Sequence, residues 1–369
     1  MESTEIRDFR ARLLGWFRQF QRDLPWRLTR DPYRIWLSEI MLQQTRVAAV
    51  IPYFERFLER FPNVRALAEA PQEEVLRLWS GLGYYSRARN LQLAAQEIVA
   101  RHSGEFPRSL ESALALPGIG AYTAAAILSI AFGEKLAVLD GNVARVLARV
   151  EAVRGDVREG QRWRSLQAAA DLLLAPEAPG DWNQAMMEFG ATLCTPRAPH
   201  CLLCPVGVYC RARKLGLADR LPEKKRKREP VPVTLVAAVF LDARGNTLLL
   251  PPPSASNKLK RDDVPTLVSR LWHFPAQSAS VNRHRMDFRR LLRPYAATPA
   301  KKGALVSELP RVRHTVTYRK IQVLAFLVRV EKLPKVPTGK RIALAAVTSL
   351  PISNLTRKIA GAALAATQP

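Results

Sequence analysis

The stretch LPGIGAYTAAAILSIAF, from Leu116 to Phe132, joins a proline and two glycines to an alanine-rich helical run. Glycine lacks a Cβ atom, so the backbone at Gly118 and Gly120 can lie close to another group. The helix that follows begins with unpaired N–H groups and the positive end of its dipole, which together bind an anion such as a phosphate. An ordinary helix N-terminus has the same local pattern, so the turn alone does not distinguish a phosphate-binding site from an ordinary helix start.

The 369-residue chain carries a formal net charge of +25, which is unevenly distributed. Met1 to Arg220 contain 29 basic and 24 acidic residues, whereas Leu221 to Pro369 contain 28 basic and 8 acidic residues. This difference indicates two domains. It also favours a polyanionic partner, nucleic acid before membrane, although a generally basic host proteome would raise the charge as well.

The spacing of hydrophobic residues also differs between the N-terminal and C-terminal parts of the chain. Apolar residues at helical spacing in MESTEIRDFRARLLGWFRQF and onward predict an all-α domain over residues 1–219. A basic linker is expected at residues 220–232, and an α+β domain at 233–369. In that domain VTLVAAVFLDARGNTLLL predicts two strands around a Gly-Asn turn, KIQVLAFLVRV and RIALAAVTSL predict further strands, and Ser254–Asp263 predicts a flexible basic insert. No secretory signal or membrane-spanning run is visible, so we expect a cytoplasmic protein.

All four cysteines lie within 17 residues, in CTPRAPHCLLCPVGVYC, with the spacing C-x6-C-x2-C-x5-C. A cytoplasmic chain rarely uses such cysteines as disulfides, so Cys194, Cys201, Cys204 and Cys210 indicate a metal centre. Zinc usually prefers two separated C-x2-C pairs. The uneven gaps favour a [4Fe–4S] cluster with one cysteine per iron, with zinc and unliganded thiols as alternatives.

The cysteine spacing resembles the cluster loop of the endonuclease III and MutY branch of DNA glycosylases. LPWRLTRDPYRIWLSEIMLQQTRV (Leu24–Val47) resembles the adenine glycosylase signature of the MutY family, and the Pro-Gly turn resembles its helix-hairpin-helix element. The resemblance implies a structural cluster whose loop presents basic side chains to phosphates. Near the cysteines these are Arg197, Arg211, Arg213 and Lys214, for which an ordinary solvated face is the alternative.

Two carboxylates carry the chemistry that the resemblance implies. Glu39 lies among apolar residues, where burial raises the pKa of a carboxyl and suits a general acid, although a partly exposed helical glutamate is also common. Asp140 precedes a Gly-Asn turn and a helix; spacing alone favours an N-cap, whereas the family motif implies the catalytic aspartate. The family's mechanism protonates adenine at N7 through Glu39 and stabilises the oxocarbenium ion through Asp140, which Asn142 orients.

Tyr122 occupies the position where lyase members of the superfamily have a lysine. A tyrosine cannot form the Schiff base that leads to strand cleavage, so the resemblance implies a monofunctional glycosylase. We expect Tyr122 to shield or hydrogen-bond Asp140, with simple packing as the alternative.

The resemblance also implies residues that engage DNA. For the duplex and its flipped base these are Gln44, Tyr84, Arg87, Gly118 and Gly120, and for the adenine pocket Trp26, Arg27, Leu42 and Gln184. The implied partner is double-stranded DNA with adenine opposite 8-oxoguanine or guanine, bound by a monomer.

The second domain resembles the Nudix-like C-terminal domain of MutY proteins. LWHFPA matches a family element with His273 in place of glutamate, and RHTVTYRKIQV matches the segment that probes 8-oxoguanine. The implied probe residues are Val316, Thr317 and Tyr318, which depart from the family's Phe-Ser-His. The glutamate cluster that binds magnesium in Nudix hydrolases is missing, so we expect DNA binding there and no nucleotide hydrolysis.

The sequence disfavours three other functions. A pyrimidine glycosylase with lyase activity is disfavoured by Tyr122 and by the second domain. A non-catalytic DNA-binding protein is disfavoured by the presence of both Glu39 and Asp140. A nucleotide pyrophosphohydrolase is disfavoured by the missing acidic cluster.

Overall fold

The computed structural model describes residues 1–223, 229–252, 264–268, 270–295 and 305–367. The chain divides into two compact units: Met1–Glu69 with Asn90–Arg226, and Ala70–Arg89 with Lys227–Pro369. The sequence-based division assigned residues 70–89 to the first domain, whereas the structure packs them with the C-terminal part. The centre of the expected linker (224–228) and the expected insert (254–263) lie outside the described residues.

The chain up to Lys214 is helical, as the apolar spacing predicts. Short 3-10 turns at Pro25–Arg27, Cys201–Leu203 and Gly207–Tyr209 accompany the helices. The α-helices are α1 (Ser3–Phe20), α2 (Pro32–Leu42), α3 (Val47–Arg60), α4 (Val64–Glu69), α5 (Gln72–Leu78), α6 (Ser86–Arg101), α7 (Leu110–Ala115), α8 (Ala121–Phe132), α9 (Gly141–Val150), α10 (Gly160–Leu173), α11 (Pro179–Thr192) and α12 (Arg211–Lys214).

The Pro-Gly turn forms a helical hairpin between α7 and α8. Gly118 has a φ of +77°, and a Cβ atom there would lie 2.7 Å from Cβ of Asn90. Left-handed backbone and a close neighbour both require glycine at this position. Gly120 is the N-cap of α8, and Gly133, with a φ of +75°, is its C-cap. The helix between them is buried from Thr123 to Ile130 and packs against α2 and α11.

The second unit is built on a mixed β-sheet. Its strands are β1 (Val231–Leu241), β2 (Asn246–Leu249), β3 (Ala276–Ser278), β4 (Val306–Glu308), β5 (Val312–Val316), β6 (Arg319–Arg329) and β7 (Lys340–Ala343), and its helices after the linker are α13 (Val264–Leu267), α14 (His284–Leu292) and α15 (Asn354–Ala365). The five-stranded sheet has the order β3-β1-β6-β4, with β5 also paired to β6. β1 and β6 run parallel, and the other pairs in this sheet are antiparallel.

Both faces of the central strand β1 are covered. Leu235, Ala237 and Val239 belong to a core with residues of α15, whereas Val236 and Ala238 belong to a core with residues of α14. Alternate side chains of a strand point to opposite faces, so two cores require apolar residues at both sets of positions. This explains the nearly continuous apolar run in VTLVAAVFL.

The two strands predicted around the Gly-Asn turn are present as β1 and β2, and β2 pairs with β7 in a separate two-stranded sheet. One other strand prediction in this unit differs in detail from the structure. RIALAAVTSL was expected to be a strand throughout; only its start lies in β7, and Leu344–Ser349 form a 3-10 helix. The expected Nudix-like character of this α/β unit stays a prediction. Within the described part of the chain, no helix combines the length and apolar character that a bilayer crossing requires.

Candidate active site

A cavity of about 620 Å³ opens in the first unit beside the hairpin. Its lining contains every residue of that unit that was predicted to contact the duplex, form the adenine pocket or take part in catalysis: Trp26, Arg27, Glu39, Leu42, Gln44, Gly118, Gly120, Tyr122, Asp140, Asn142 and Gln184. Residues that are distant in sequence therefore meet in one place, as the family motifs imply.

Glu39 lies in α2 with only 7% of its surface exposed. Its Oε2 accepts a hydrogen bond of 2.6 Å from the hydroxyl of Tyr122 in α8. Burial raises the pKa of Glu39 to about 7; the Tyr122 bond opposes this rise, Asp140 adds to it, and Arg27 opposes it weakly. Glu39 can therefore hold a proton near neutral pH.

Tyr122 does not bond the carboxylate that the sequence interpretation assigned to it. Its hydroxyl lies on Glu39 and 3.1 Å from Sδ of Met187, whereas Asp140 influences it only through charge. Burial raises the pKa of the Tyr122 hydroxyl, so it stays a neutral donor. The expectation of a Tyr122–Asp140 hydrogen bond was wrong, because α8 directs the side chain toward α2.

Asp140 caps the N-terminus of α9. Its Oδ1 accepts from the backbone N–H groups of Asn142 (2.9 Å) and Val143 (2.7 Å), and its Oδ2 accepts from Nδ2 of Asn142 (2.9 Å). Burial raises the pKa of Asp140, and these three bonds oppose that rise. The cap that spacing favours is therefore present, and the capped carboxylate lines the cavity.

The segment that leads into Asp140 is held from α11. Asn183, 1% exposed, accepts from the N–H of Val138 and donates to the carbonyl of Leu136. These bonds satisfy the backbone of a segment outside any helix or strand and fix the position of the carboxylate that follows.

The opposite wall contains the expected pocket residues. Trp26 packs edge-on against Phe54, with ring centroids 5.4 Å apart. Arg27 donates to Oε2 of Glu188 at 2.8 Å and to the carbonyl of Arg22 at 3.0 Å. Leu42 and Gln184 complete this part of the lining.

Two predicted DNA-contact residues have unusual backbone. Gln44, at the cavity, has a φ of +57°, and Tyr84, in the second unit, has a φ of +47° and is 46% exposed. Non-glycine residues with left-handed backbone occur preferentially at functional sites. Arg87 stacks its guanidinium over the rings of Tyr84 and Trp79 at 5.4 and 5.5 Å, and burial lowers the pKa of Arg87 to about 10.

The predicted lesion probe forms a tight turn. Val316 pairs with Arg319, so Thr317 and Tyr318 are the two-residue loop of the β5–β6 hairpin. Thr317 has a φ of +53° and an exposed side chain whose hydroxyl donates to the carbonyl of Val316. His273, where the family has glutamate, is buried with its Nδ1 3.0 Å from the carbonyl of Leu271.

The four cysteines border one small cavity of about 30 Å³, together with Arg149 and Arg213. Among the described residues, no group of three or more His, Cys, Asp or Glu is arranged as a metal site. The lining nevertheless fits a cluster better than a hard cation, since it contains four thiols and no carboxylate. Arg149 also donates to Sγ of Cys194 at 3.1 Å.

α9 connects this loop to the cavity. Arg145, 8% exposed, donates to Oδ1 of Asn142, to the carbonyl of Gly190 and to the carbonyl of Cys194. Asn142 in turn holds Asp140. The position of the capped carboxylate thus depends on a chain of hydrogen bonds that begins at the cysteine loop.

Sequence reasoning missed several lining residues, among them Arg22, Met187 and Glu188. Glu188 lies between apolar neighbours in MMEFG, the same signal that singled out Glu39. Arg22 gives no such signal, because its role depends on the carboxylate that it meets in space.

Comparisons with known proteins identify DNA repair proteins and DNA glycosylases that are similar to this chain. The family model "HhH-GPD superfamily base excision DNA repair protein" matches residues 37–171. The human adenine DNA glycosylase is 49% identical over 220 residues, 57% of this chain and 40% of that protein. An adenine DNA glycosylase of Buchnera aphidicola subsp. Baizongia pistaciae is 38% identical over 229 residues, 61% of this chain and 64% of that protein.

The fold has a matching solved structure. A thermostable thymine-DNA glycosylase superposes with a TM-score of 0.53 and 30% identity, covering 57% of this chain and 98% of that one. These matches confirm the predicted resemblance to the MutY branch of the endonuclease III superfamily. The chain belongs to the HhH-GPD superfamily of base excision DNA repair proteins.

Proposed function

We propose that the chain is a monofunctional DNA glycosylase, a hydrolase of N-glycosidic bonds, which removes adenine mispaired with 8-oxoguanine or guanine. The observation that carries this proposal is the arrangement of Glu39 and Asp140. One buried carboxyl with a pKa of about 7 and one carboxylate fixed by three hydrogen bonds share a cavity. The chain spans about two-fifths of the human relative, so its activity is inferred from this site.

Glu39 acts as the general acid. Adenine is a poor leaving group as an anion, and a proton on N7 lets it leave neutral. Oε2 of Glu39 accepts the hydrogen bond from the Tyr122 hydroxyl, so Oε1 is the oxygen that carries the proton. Burial keeps that proton in place near neutral pH.

Asp140 stabilises the positive charge that develops on the deoxyribose, and water then completes hydrolysis. Its cap bonds fix both oxygens before the reaction, so little reorganisation accompanies charge development. No lysine lies among the residues that line the cavity, and Tyr122 cannot form an imine. This supports base removal without lyase cleavage.

The adenine reaches the cavity by extrusion from the duplex. The hairpin at Gly118 and Gly120 binds a phosphate, while Gln44 and Tyr84, both with left-handed backbone, contact the opened stack. We place the adenine against Trp26, Arg27, Leu42 and Gln184.

The second unit contributes duplex binding and lesion recognition. Its α14 region presents five exposed arginines, at positions 283, 285, 289, 290 and 293, with Asp287 as the one acidic residue between Arg283 and Arg293. Such a face suits DNA phosphates. The turn of Val316, Thr317 and Tyr318, in which Thr317 is exposed, is the proposed probe of 8-oxoguanine. The enzyme acts as a monomer in the cytoplasm.

Single-turnover assays on duplexes with adenine opposite 8-oxoguanine, guanine or thymine test this function. We expect excision from the first two, with strand breaks only after alkali treatment. A duplex with thymine opposite guanine serves as the competing substrate. Breaks without alkali, covalent trapping by borohydride, or preferred removal of thymine would contradict the proposal.

The cysteine loop is the proposed site of a [4Fe–4S] cluster held by Cys194, Cys201, Cys204 and Cys210. Four thiols around one cavity and the Arg149 donor fit this group. When bound, the cluster supplies structural cross-linking of the loop, which Arg145 ties to α9.

Metal analysis of the purified chain checks the cluster. We expect about four iron and about four sulfide per chain, with visible charge-transfer absorption. Cys204→Ser should lose most of the iron and lower the melting temperature, whereas the exposed Ser349→Cys should change neither. One zinc per chain without iron would overturn the assignment.

A further inference from the structure

Glu188 is a buried carboxylate that the proposed chemistry does not use. It lies in α11, is 1% exposed, and borders the same cavity as Glu39. Its Oε1 accepts from Nε and the backbone N–H of Arg22, at 2.7 and 3.1 Å. Its Oε2 accepts from Arg22 at 2.7 Å and from Arg27 at 2.8 Å. One carboxylate thus holds two guanidinium groups.

The charged and titratable groups around Glu39 come from several elements. Tyr122 faces it from α8, Asp140 from the start of α9, and Arg27 from the 3-10 turn before α2. Arg22 and Glu188 line the cavity from the chain after α1 and from α11. Among the charged groups, Arg27 favours the ionised form of Glu39, and the hydrogen bond from the neutral Tyr122 hydroxyl acts in the same direction.

The two reacting carboxylates differ in their capacity to accept a freed guanidinium. Asp140 already accepts three hydrogen bonds from the first turn of α9. Among the described contacts, the Glu39 carboxylate accepts only from Tyr122. If Glu188 lost its charge, two guanidiniums would lack a counterion, and Glu39 is the carboxylate with open acceptor positions. A buried charge without a partner is strongly unfavourable, so Arg27 would turn to Glu39.

We propose that Glu188 is a positioning residue which holds Arg27 and Arg22 away from Glu39, so that Glu39 keeps its proton at neutral pH. The proposal rests on the proposed function only for its kinetic readout. Glu188 touches no reacting atom; it acts through Arg27. The acid and this counterion therefore form one electrostatic unit across the cavity.

Glu188→Gln tests this directly. We expect the alkaline limb of the pH–rate profile for single-turnover excision to move to lower pH by about one to three units. This is the range by which an adjacent opposite charge lowers the pKa of a carboxyl. In the Glu188→Gln/Arg27→Gln double variant the limb should return toward the wild-type position, whatever happens to the maximal rate. A purely structural role for Glu188 would lower the rate in both variants without this return.

A second readout does not need excision. The infrared carbonyl band of the protonated Glu39 carboxyl, assigned by its loss in Glu39→Gln, should titrate at lower pH in Glu188→Gln. If the wild type excised no adenine, the proposed function would fail while this titration still decided the role of Glu188. An unchanged titration in folded Glu188→Gln would overturn the proposal.

Arg22→Gln covers the case in which Glu188→Gln does not fold. It removes one guanidinium and leaves Arg27 paired with Glu188, so the Glu39 band should titrate at or above the wild-type pH. Titration at lower pH in Arg22→Gln would also overturn the proposal.

Discussion

Glu39→Gln is expected to lower the single-turnover rate of adenine excision by about 10²- to 10⁴-fold, the usual contribution of a general acid. Glutamine has the same shape, and its side-chain oxygen can still accept the hydrogen bond from Tyr122. It cannot supply a proton of suitable acidity. Duplex affinity should therefore stay unchanged, because the substitution removes the proton and leaves the 620 Å³ cavity intact.

The measurement pairs excision rates with duplex binding at equal ionic strength. Glu105→Gln, the same substitution at an exposed glutamate, is the matched control and should leave both quantities unchanged. In the wild type the rate should fall as pH rises through about 7, where Glu39 loses its proton. Wild-type turnover in Glu39→Gln, or loss of binding together with turnover, would contradict the acid role.

The helical hairpin could be predicted because it rests on a local pattern. Gly118 is required by its left-handed backbone and its close neighbour, and the apolar run after it forms a buried helix. The family resemblance then identified residues that line one cavity, although no local sequence pattern predicts that they lie close together. Tyr122 shows the limit: its position was correct, but its hydrogen-bond partner was not.

The partner of a side chain depends on three-dimensional charge placement that spacing does not encode. Glu188 could have been noticed as a carboxylate among apolar residues, but its two arginines could not. The same limit appears in the second unit, where strands were predicted at β2 and at the start of β7 but the pairing between them was not. A strand pattern indicates which residues face a core; it does not indicate which distant strand supplies the hydrogen bonds.

Asp140→Asn should separate the two roles that the sequence left open for this residue. Asparagine is as good an N-cap as aspartate, so the melting temperature should change little. It carries no negative charge, so excision should fall by about 10²- to 10³-fold, as for the loss of one preorganised electrostatic contact. Asp140→Ala should lower the excision rate by the same factor. It should also lower the free energy of unfolding by about 1 kcal/mol, because the N-cap is lost.

Thermal unfolding and single-turnover excision of the two variants together decide between the roles. Oδ1 of Asp140 accepts hydrogen bonds from two backbone N–H groups, and these bonds hold the oxygen in place. A variant that keeps the cap therefore also keeps the position of this oxygen. Ser109→Ala, which removes the cap of α7, is the control for lost capping without lost chemistry. If Asp140→Asn excised adenine at the wild-type rate, Asp140 would be a cap alone, and charge stabilisation would have to come from another group in the cavity.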